Sequence, residues 1–251
     1  MEHVRDLFAR EDRRALGTWL KIAHNDVADL LALAGFDFVV VDMEHAPIGI
    51  GDAHRLIGAA LGAGLPPLVR VPELDESVVA RVLDSGAHGV LVPHVRTAED
   101  AERIVRAARL PPRGTRGFGP TVRSGGWGAD PDSYRRSAAR SVVIPQIECA
   151  DGVRNVGAIA DVEGIDHLFV GTADLAESTG LAPTDPAFGE LLAAVSDAAA
   201  AHGVPLGTAV GATGAPPPRL GDCRFFAVSN DAGLLLHGAR SVLSRHNSPS
   251  S

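Results

Sequence analysis

The sequence predicts a single α/β domain, a (β/α)8 barrel of the TIM type, on three observations. Eight short apolar, β-branched runs recur along 251 residues, helix-like stretches separate most of them, and several of those stretches stop at a glycine. Strands alternating with helices of about 10–15 residues imply right-handed βαβ units and a parallel sheet. About 250 residues is the ordinary size of an eight-unit closed barrel. The alternative is an open doubly wound sheet, but no Gly-x-Gly-x-x-Gly follows the first strand.

The strand-like runs are Leu16–Ile22, Phe36–Asp42, Pro67–Val71, Gly89–Pro93, Val142–Ile147, His167–Gly171, Val204–Thr208 and Phe225–Ser229. Their near-continuous hydrophobicity suits parallel strands, which are covered on both faces. Helices are predicted over Asn25–Ala34, Gly51–Ala63, Ser77–Ser85, Thr97–Arg109, Asp151–Ala160 and Phe188–Ala201. Gly35, Gly64, Gly86 and Gly203 stand where a helix C-cap requires positive φ. Two stretches interrupt the rhythm. Pro111–Asp132, rich in Gly, Pro and Arg, has the length of a binding loop or lid, and Gly211–Pro218 follows the seventh strand. The polar tail from Arg245 to Ser251 is expected to fray, and residues 1–251 form one domain.

Apolar residues make up 45% and charged residues 22%, which excludes wholesale disorder; with aromatics at 4% the core must be aliphatic. The net charge of −8 argues against nucleic acid or an anionic membrane as partner. Two cysteines make no disulfide framework, the opening MEHVRDLFARED lacks an apolar signal core, and no window reaches eighteen continuous apolar residues. A cytoplasmic location is the expectation.

In such a barrel, chemistry gathers at the carboxyl ends of the strands. Those ends carry Asp42, Glu44 and His45 after the second run, Arg70 in the third, His94 after the fourth, Gln146 and Glu148 in the fifth, and Asp174 after the sixth. Side chains alternate along a strand, so Gln146 and Glu148 share the inward face while Ile147 and Cys149 face the helices. The same parity turns Asp42, Glu44 and Arg70 inward. A charge inside a parallel strand is costly unless paired, so Arg70 requires an anion beside it. Glu148 and Asp174 on neighbouring strand ends suit a hard divalent cation, Mg2+ or Mn2+; bonding to loop amides is the plainer alternative.

Other side chains are weighed against structural roles. Lys21, the single lysine, ends the first strand and reads as a rim cation rather than a Schiff-base nucleophile. His94 alone among His24, His54, His88 and His94 lies near the mouth. Arg116 and Arg123 on the long loop read as solvated, with binding of an anionic substrate tail as the alternative. Trp19 and Trp127 read as packing residues, and Cys149 as an inert buried thiol.

At these residues the chain resembles the HpcH/HpaI aldolase family of metal-dependent class II pyruvate aldolases. The resemblance runs from about Leu16 to Leu181 and more loosely to Leu243. It is carried by GFDFVVVDMEHAP (Gly35–Pro47), LVRVP (Leu68–Pro72), LDSGAHGVLVPHV (Leu83–Val95), PPRGTRGFG (Pro111–Gly119), QIE (Gln146–Glu148) and DVEGIDHLFVGTADL (Asp161–Leu175). It implies cleavage of a 4-hydroxy-2-oxo acid to pyruvate and an aldehyde through an enolate held by a divalent metal (Mg2+, Mn2+ or Co2+), in a homo-oligomer, usually a hexamer. It further implies Glu148 and Asp174 as metal ligands, His45 as base, Arg70 as enolate stabiliser and Asp84 as the partner of His45. Gln146 and the amides near Ala173 and Asp174 are implied as pyruvate-binding groups. Oxaloacetate decarboxylation, coupling of the enolate to an unusual electrophile as in macrophomate synthase, and a binding barrel without turnover are the competing expectations. Three departures from the family pattern, Thr172 for proline, Pro120–Arg123, and FFAVSND at Phe225–Asp231, fall on loops within reach of the aldehyde half. Asp84 precedes the fourth strand and so sits toward the far end of its own barrel; the Asp84 beside His45 is therefore expected from a neighbouring subunit.

Overall fold

Backbone hydrogen bonds join eight strands in sequence order and then close the last onto the first in the computed structural model, which describes residues 1–247. The strands are β1 (Ala15–Leu20), β2 (Phe38–Asp42), β3 (Pro67–Arg70), β4 (Gly89–Val92), β5 (Val142–Ile147), β6 (Leu168–Val170), β7 (Leu206–Val210) and β8 (Phe225–Asn230), and every neighbouring pair is parallel. The helices are α1 (Val4–Phe8), α2 (Asn25–Leu33), α3 (Ile50–Gly62), α4 (Glu76–Asp84), α5 (Ala98–Ala108), α6 (Pro131–Arg140), α7 (Ala150–Arg154), α8 (Val156–Ala160), α9 (Thr172–Thr179), α10 (Pro186–Ala201) and α11 (Asp231–Asn247). The chain is a single-domain (β/α)8 barrel. Gly35, Gly64, Gly86 and Gly203 all take positive φ, as the capping argument requires.

Strand parity divides the core into two layers. Val39, Val41, Val69 and Ile147 pack outward against the helices. Phe38, Val40, Leu68, Ile144 and Phe169 fill the cylinder. Asp42, Arg70 and Gln146 continue the inward register, and all three are buried. The amino-terminal end is stoppered by α1: Phe8 stacks on Phe225 with centroids 4.1 Å apart and meets Phe38 edge-on at 5.1 Å. Gly207 makes room for Phe225, since a Cβ there would lie 2.1 Å from the ring.

Two sequence expectations shift. The segment between α5 and α6, anticipated as a binding loop, follows a helix rather than a strand and so lies at the amino end of the strands, away from the mouth. At its start Arg109 bonds the Ser141 and Gly164 carbonyls, which precede β5 and β6. The tail expected to fray from Arg245 is helical to Asn247, and the rest lies outside the described residues. Among the described residues no helix is long and apolar enough to cross a membrane.

Candidate active site

Asp42 and Arg70 are register partners on β2 and β3. Arg70 donates from Nε and Nη2 to the two Asp42 oxygens at 2.9 and 2.7 Å, and its Nη1 lies 2.8 Å from Glu44 Oε2. Its guanidinium sits 4.2 Å above the Trp19 ring, a cation–π contact at the floor of the site. The anion that Arg70 requires is thus supplied twice over. Burial pushes the Asp42 carboxyl up, but hydrogen bonds and charge from Arg70, with Lys21 adding to them, hold it below the usual carboxylate range.

Glu148, 2% exposed, is the buried acid of the β5 end. It accepts the His94 amide at 2.7 Å and a hydrogen bond from Gln146 Nε2, and its Oε1 lies 3.0 Å from His94 Nδ1. His94 takes a positive φ of 56°, which brings its amide and ring together onto Glu148. Burial raises the Glu148 carboxyl; the His94 amide and charge oppose this, while Glu44 and Asp174 add to it. Crowded acids of this kind favour a cation among them. At the end of β6, Gly171 leaves them room: a Cβ would stand 2.9 Å from Glu148 Oε2 and 3.0 Å from Gln146 Nε2.

Glu44, His94 and Glu148 each offer one ligand atom within 4.8 Å of the others. Two carboxylates and an imidazole suit a divalent first-row or magnesium ion. Gln146 Oε1 is buried without a hydrogen-bond partner, which also fits a site completed by a further group. Asp174, in the first turn of α9, lies outside this three-residue set, although its charge acts on Glu148.

Beside the acids opens a cavity of about 350 Å3, walled by Trp19, Arg70, Gln146 and Gly171–Asp174 on one side and by Lys21, Val210, Ser229 and Asn230 on the other. Ala173 and Asp174 present the amino-terminal turn of α9 to it, where free amides favour an anion. His45 is exposed on the rim, its Nε2 3.9 Å from Glu44 Oε2. Lys21 Nζ pairs with Asp42 Oδ2 at 3.1 Å, a rim cation rather than a free amine.

Of the anticipated residues, Arg70, Gln146, Ala173 and Asp174 line one cavity, Glu148 adjoins it and His45 stands at its edge. Asp84 does not join them. It ends α4 at the other end of the barrel, where it takes Arg116 Nη2 at 2.6 Å and the Tyr134 hydroxyl at 2.9 Å. Sequence reasoning missed Asp42 as the anchor of Arg70, although parity had turned both inward. It also missed His94 as a ligand-capable group, although Pro93-His94 ends the fourth strand. Asp231 had no sequence signal beyond its place after β8; its Oδ2 accepts the amides of Lys21 and Ile22 at 2.9 and 2.8 Å and fixes the end of β1. Cys149 is half-buried and caps α7 through Sγ rather than being sealed in the core.

Known proteins resemble this chain in sequence and in fold. The family model described as HpcH/HpaI aldolase/citrate lyase matches residues 15–212. A hydroxypyruvate/pyruvate aldolase of Paraburkholderia phytofirmans is 35% identical over 246 residues, covering 93% of this chain and 94% of that protein. A 2-dehydro-3,6-dideoxy-6-sulfogluconate aldolase of Pseudomonas putida is 37% identical, with 91% of each covered. A crystal structure of an HpcH/HpaI aldolase/citrate lyase family protein from Burkholderia cenocepacia J2315 superposes with a TM-score of 0.91 at 36% identity, covering 98% of this chain and 99% of that one.

Proposed function

Because this chain belongs to the HpcH/HpaI aldolase/citrate lyase family and is a carbon–carbon lyase, we propose that it cleaves a 4-hydroxy-2-oxo acid to pyruvate and an aldehyde with the help of a divalent cation. The observation that carries this reading is the convergence of Arg70, Gln146 and buried Glu148 beside the free amides of α9. Glu148 and Asp174 would hold the cation, with Glu44 and His94 clustered beside Glu148. When bound, the cation serves as a Lewis acid toward the 2-oxo group and offsets the charge of the acids; Mn2+, Co2+ and Mg2+ all suit the donors.

The chain's own groups account for the rest. The amides near Ala173 and Asp174 bind the substrate carboxylate, and Gln146 orients the 2-oxo group. His45 accepts the proton of the 4-hydroxyl as the C3–C4 bond breaks; the electron pair moves into the pyruvate half as an enolate, and the aldehyde leaves. Arg70, fixed in advance by Asp42 and Glu44, faces the oxygen on which charge grows and needs no rearrangement to stabilise it. Asp84 belongs to this mechanism only through a neighbouring copy that brings it to His45, in a homo-oligomer.

The test is pyruvate release from a panel of 4-hydroxy-2-oxo acids by metal-stripped protein reloaded with Mn2+, Co2+ or Mg2+. Metal-dependent release that Glu148→Gln abolishes supports the reading. Carbon dioxide from oxaloacetate with no cleavage of any aldol would replace it.

A further inference from the structure

The amino-terminal end of the barrel carries a second concavity, opposite the acids at the mouth. Three arginines from separate segments meet there: Arg5 of α1, Arg109 at the end of α5, and Arg113 of the loop that follows. With Glu163 and Asp166 they wall a cavity of about 300 Å3. Asp166 is fully engaged. Its Oδ1 lies 2.6 Å from Arg5 Nη2, and its Oδ2 accepts from Arg109 Nη2 at 3.0 Å and from the Val143 amide at 2.8 Å. Two cations thus share one carboxylate, and the Arg109 and Asp166 side chains are each only 11% exposed. A half-compensated charge at that depth is unfavourable. Burial holds Arg109 below the ordinary guanidinium range against the opposing pull of Asp166, and the charge of Arg5 adds to the effect.

Donors remain on all three. Arg5 uses Nε and Nη2 on the Arg140 and Ser141 carbonyls and on Asp166, which leaves Nη1. Arg109 uses Nη1 and Nη2 on the Ser141 and Gly164 carbonyls and on Asp166, which leaves Nε. The Arg113 side chain has no partner among the described residues. Its backbone is nevertheless fixed. The Arg113 amide donates to the Leu110 carbonyl at 3.1 Å, and the amides of Thr115 and Arg116 return to the Arg106 and Arg109 carbonyls at 2.8 and 3.0 Å. Gly114 permits this turn, since a Cβ there would lie 2.4 Å from both of those carbonyl oxygens. A guanidinium with no internal task is thereby carried to the edge of two others whose positions are set. Glu163, exposed, is the one carboxylate of the wall without a partner among the described residues.

We propose that Arg5, Arg109 and Arg113 form a binding site for phosphate, free or borne on a small molecule, at the end of the barrel opposite the catalytic cavity. Forked guanidinium groups match phosphate oxygens two at a time, and a dianion offsets the positive charge that Asp166 leaves uncompensated. The cavity takes roughly ten water-sized groups at about 30 Å3 each, which is room for a phosphate with a short polar stem. Arg5 and Arg109 already hold the Ser141 and Gly164 carbonyls, so the bound anion ties α1 to the starts of β5 and β6 and stabilises the fold. The site stands independently of the aldolase reading.

The experiment is calorimetric titration of the purified protein with inorganic phosphate and with glycerol 3-phosphate at constant ionic strength and about pH 8, where both are dianions. Thermal midpoints are recorded alongside. Each probe is expected to fill one site per chain and to raise the midpoint beyond what sodium chloride of equal ionic strength achieves. Tenfold tighter binding of the ester identifies a phosphate monoester as the occupant, and equal or weaker binding identifies free phosphate. Arg113→Ala, at an exposed residue without internal side-chain contacts, should weaken phosphate at least fivefold and leave the midpoint of the unliganded protein unchanged. Glu163→Gln, which removes a like charge from the wall, should tighten it. Saturating pyruvate with Mg2+ should leave phosphate affinity unaltered, because the two cavities lie at opposite ends of the strands. No binding of either probe, an affinity unmoved by both substitutions, or competition by pyruvate would overturn the site.

Discussion

Asp42 and Arg70 occupy paired positions on adjacent strands, and the guanidinium holds both carboxylate oxygens in a setting almost closed to solvent. A buried pair of this geometry contributes less net stability than its Coulomb energy suggests, yet breaking it leaves an uncompensated charge at a cost of about 3–5 kcal/mol. Its value here is orientation.

Arg70→Ala should therefore lower kcat/KM for aldol cleavage by about a hundred- to a thousandfold, the range for losing one donor to a developing oxyanion. Asp42→Asn should reduce both the urea midpoint and kcat, because Arg70 then leans on Glu44 alone. Unchanged kcat in Asp42→Asn at normal stability would show that Arg70 needs no anchor.

Cation binding can be dissected ligand by ligand by calorimetric titration with Mn2+. Glu148→Gln and Asp174→Asn are each expected to weaken affinity at least tenfold, because hard cations draw on anionic oxygen. His94→Ala should cost less, its ring being half exposed. A larger loss for His94→Ala than for Asp174→Asn would move the ion into the Glu44–His94–Glu148 set.

Acid lability has a definite origin at the far end of the barrel. Burial, the largest cause in each case, lowers His3 and His167 to about 4 and His88 to about 3; Arg140 adds to it for His3, and the charge of His3 for His88. A folded value below the ordinary 6.5 means that protonation favours the unfolded chain. The stability these neutral rings allow is complete above about pH 6.5 and is lost as pH falls toward 4 and then 3. For His167, packed edge-on to Phe8 and Phe225, the loss reaches about 3 kcal/mol at about 1.4 kcal/mol per unit. Thermal midpoints measured from pH 8 to pH 4 should drop less steeply in His167→Phe than in the wild type; parallel curves would remove His167 from the account.

The barrel was legible because its signal is periodic. Runs of Val, Ile and Leu with glycine at helix ends are local features, and parity then turned Asp42, Arg70, Gln146 and Glu148 inward without any tertiary information. What escaped was non-local. That Arg70 would be held by Asp42 depends on the register of β2 against β3, and that His94 would cover Glu148 depends on an unusual backbone angle. The composition of the long loop carries its length but not its position; it lies at the amino end of the strands because α5 intervenes after β4. The same directional argument applies to Asp84, which ends α4 against Arg116 and Tyr134.

With α1 corking the floor, the cavity at the carboxyl ends of the strands is approached from the mouth of the barrel. If the keto acid binds as proposed, against Gln146 and the first turn of α9, it is expected to enter first in the forward condensation and depart last in cleavage. Product inhibition would carry that order: pyruvate competing directly with the hydroxy-oxo acid and the aldehyde acting non-competitively, whereas the reverse pattern would mean that pyruvate leaves first.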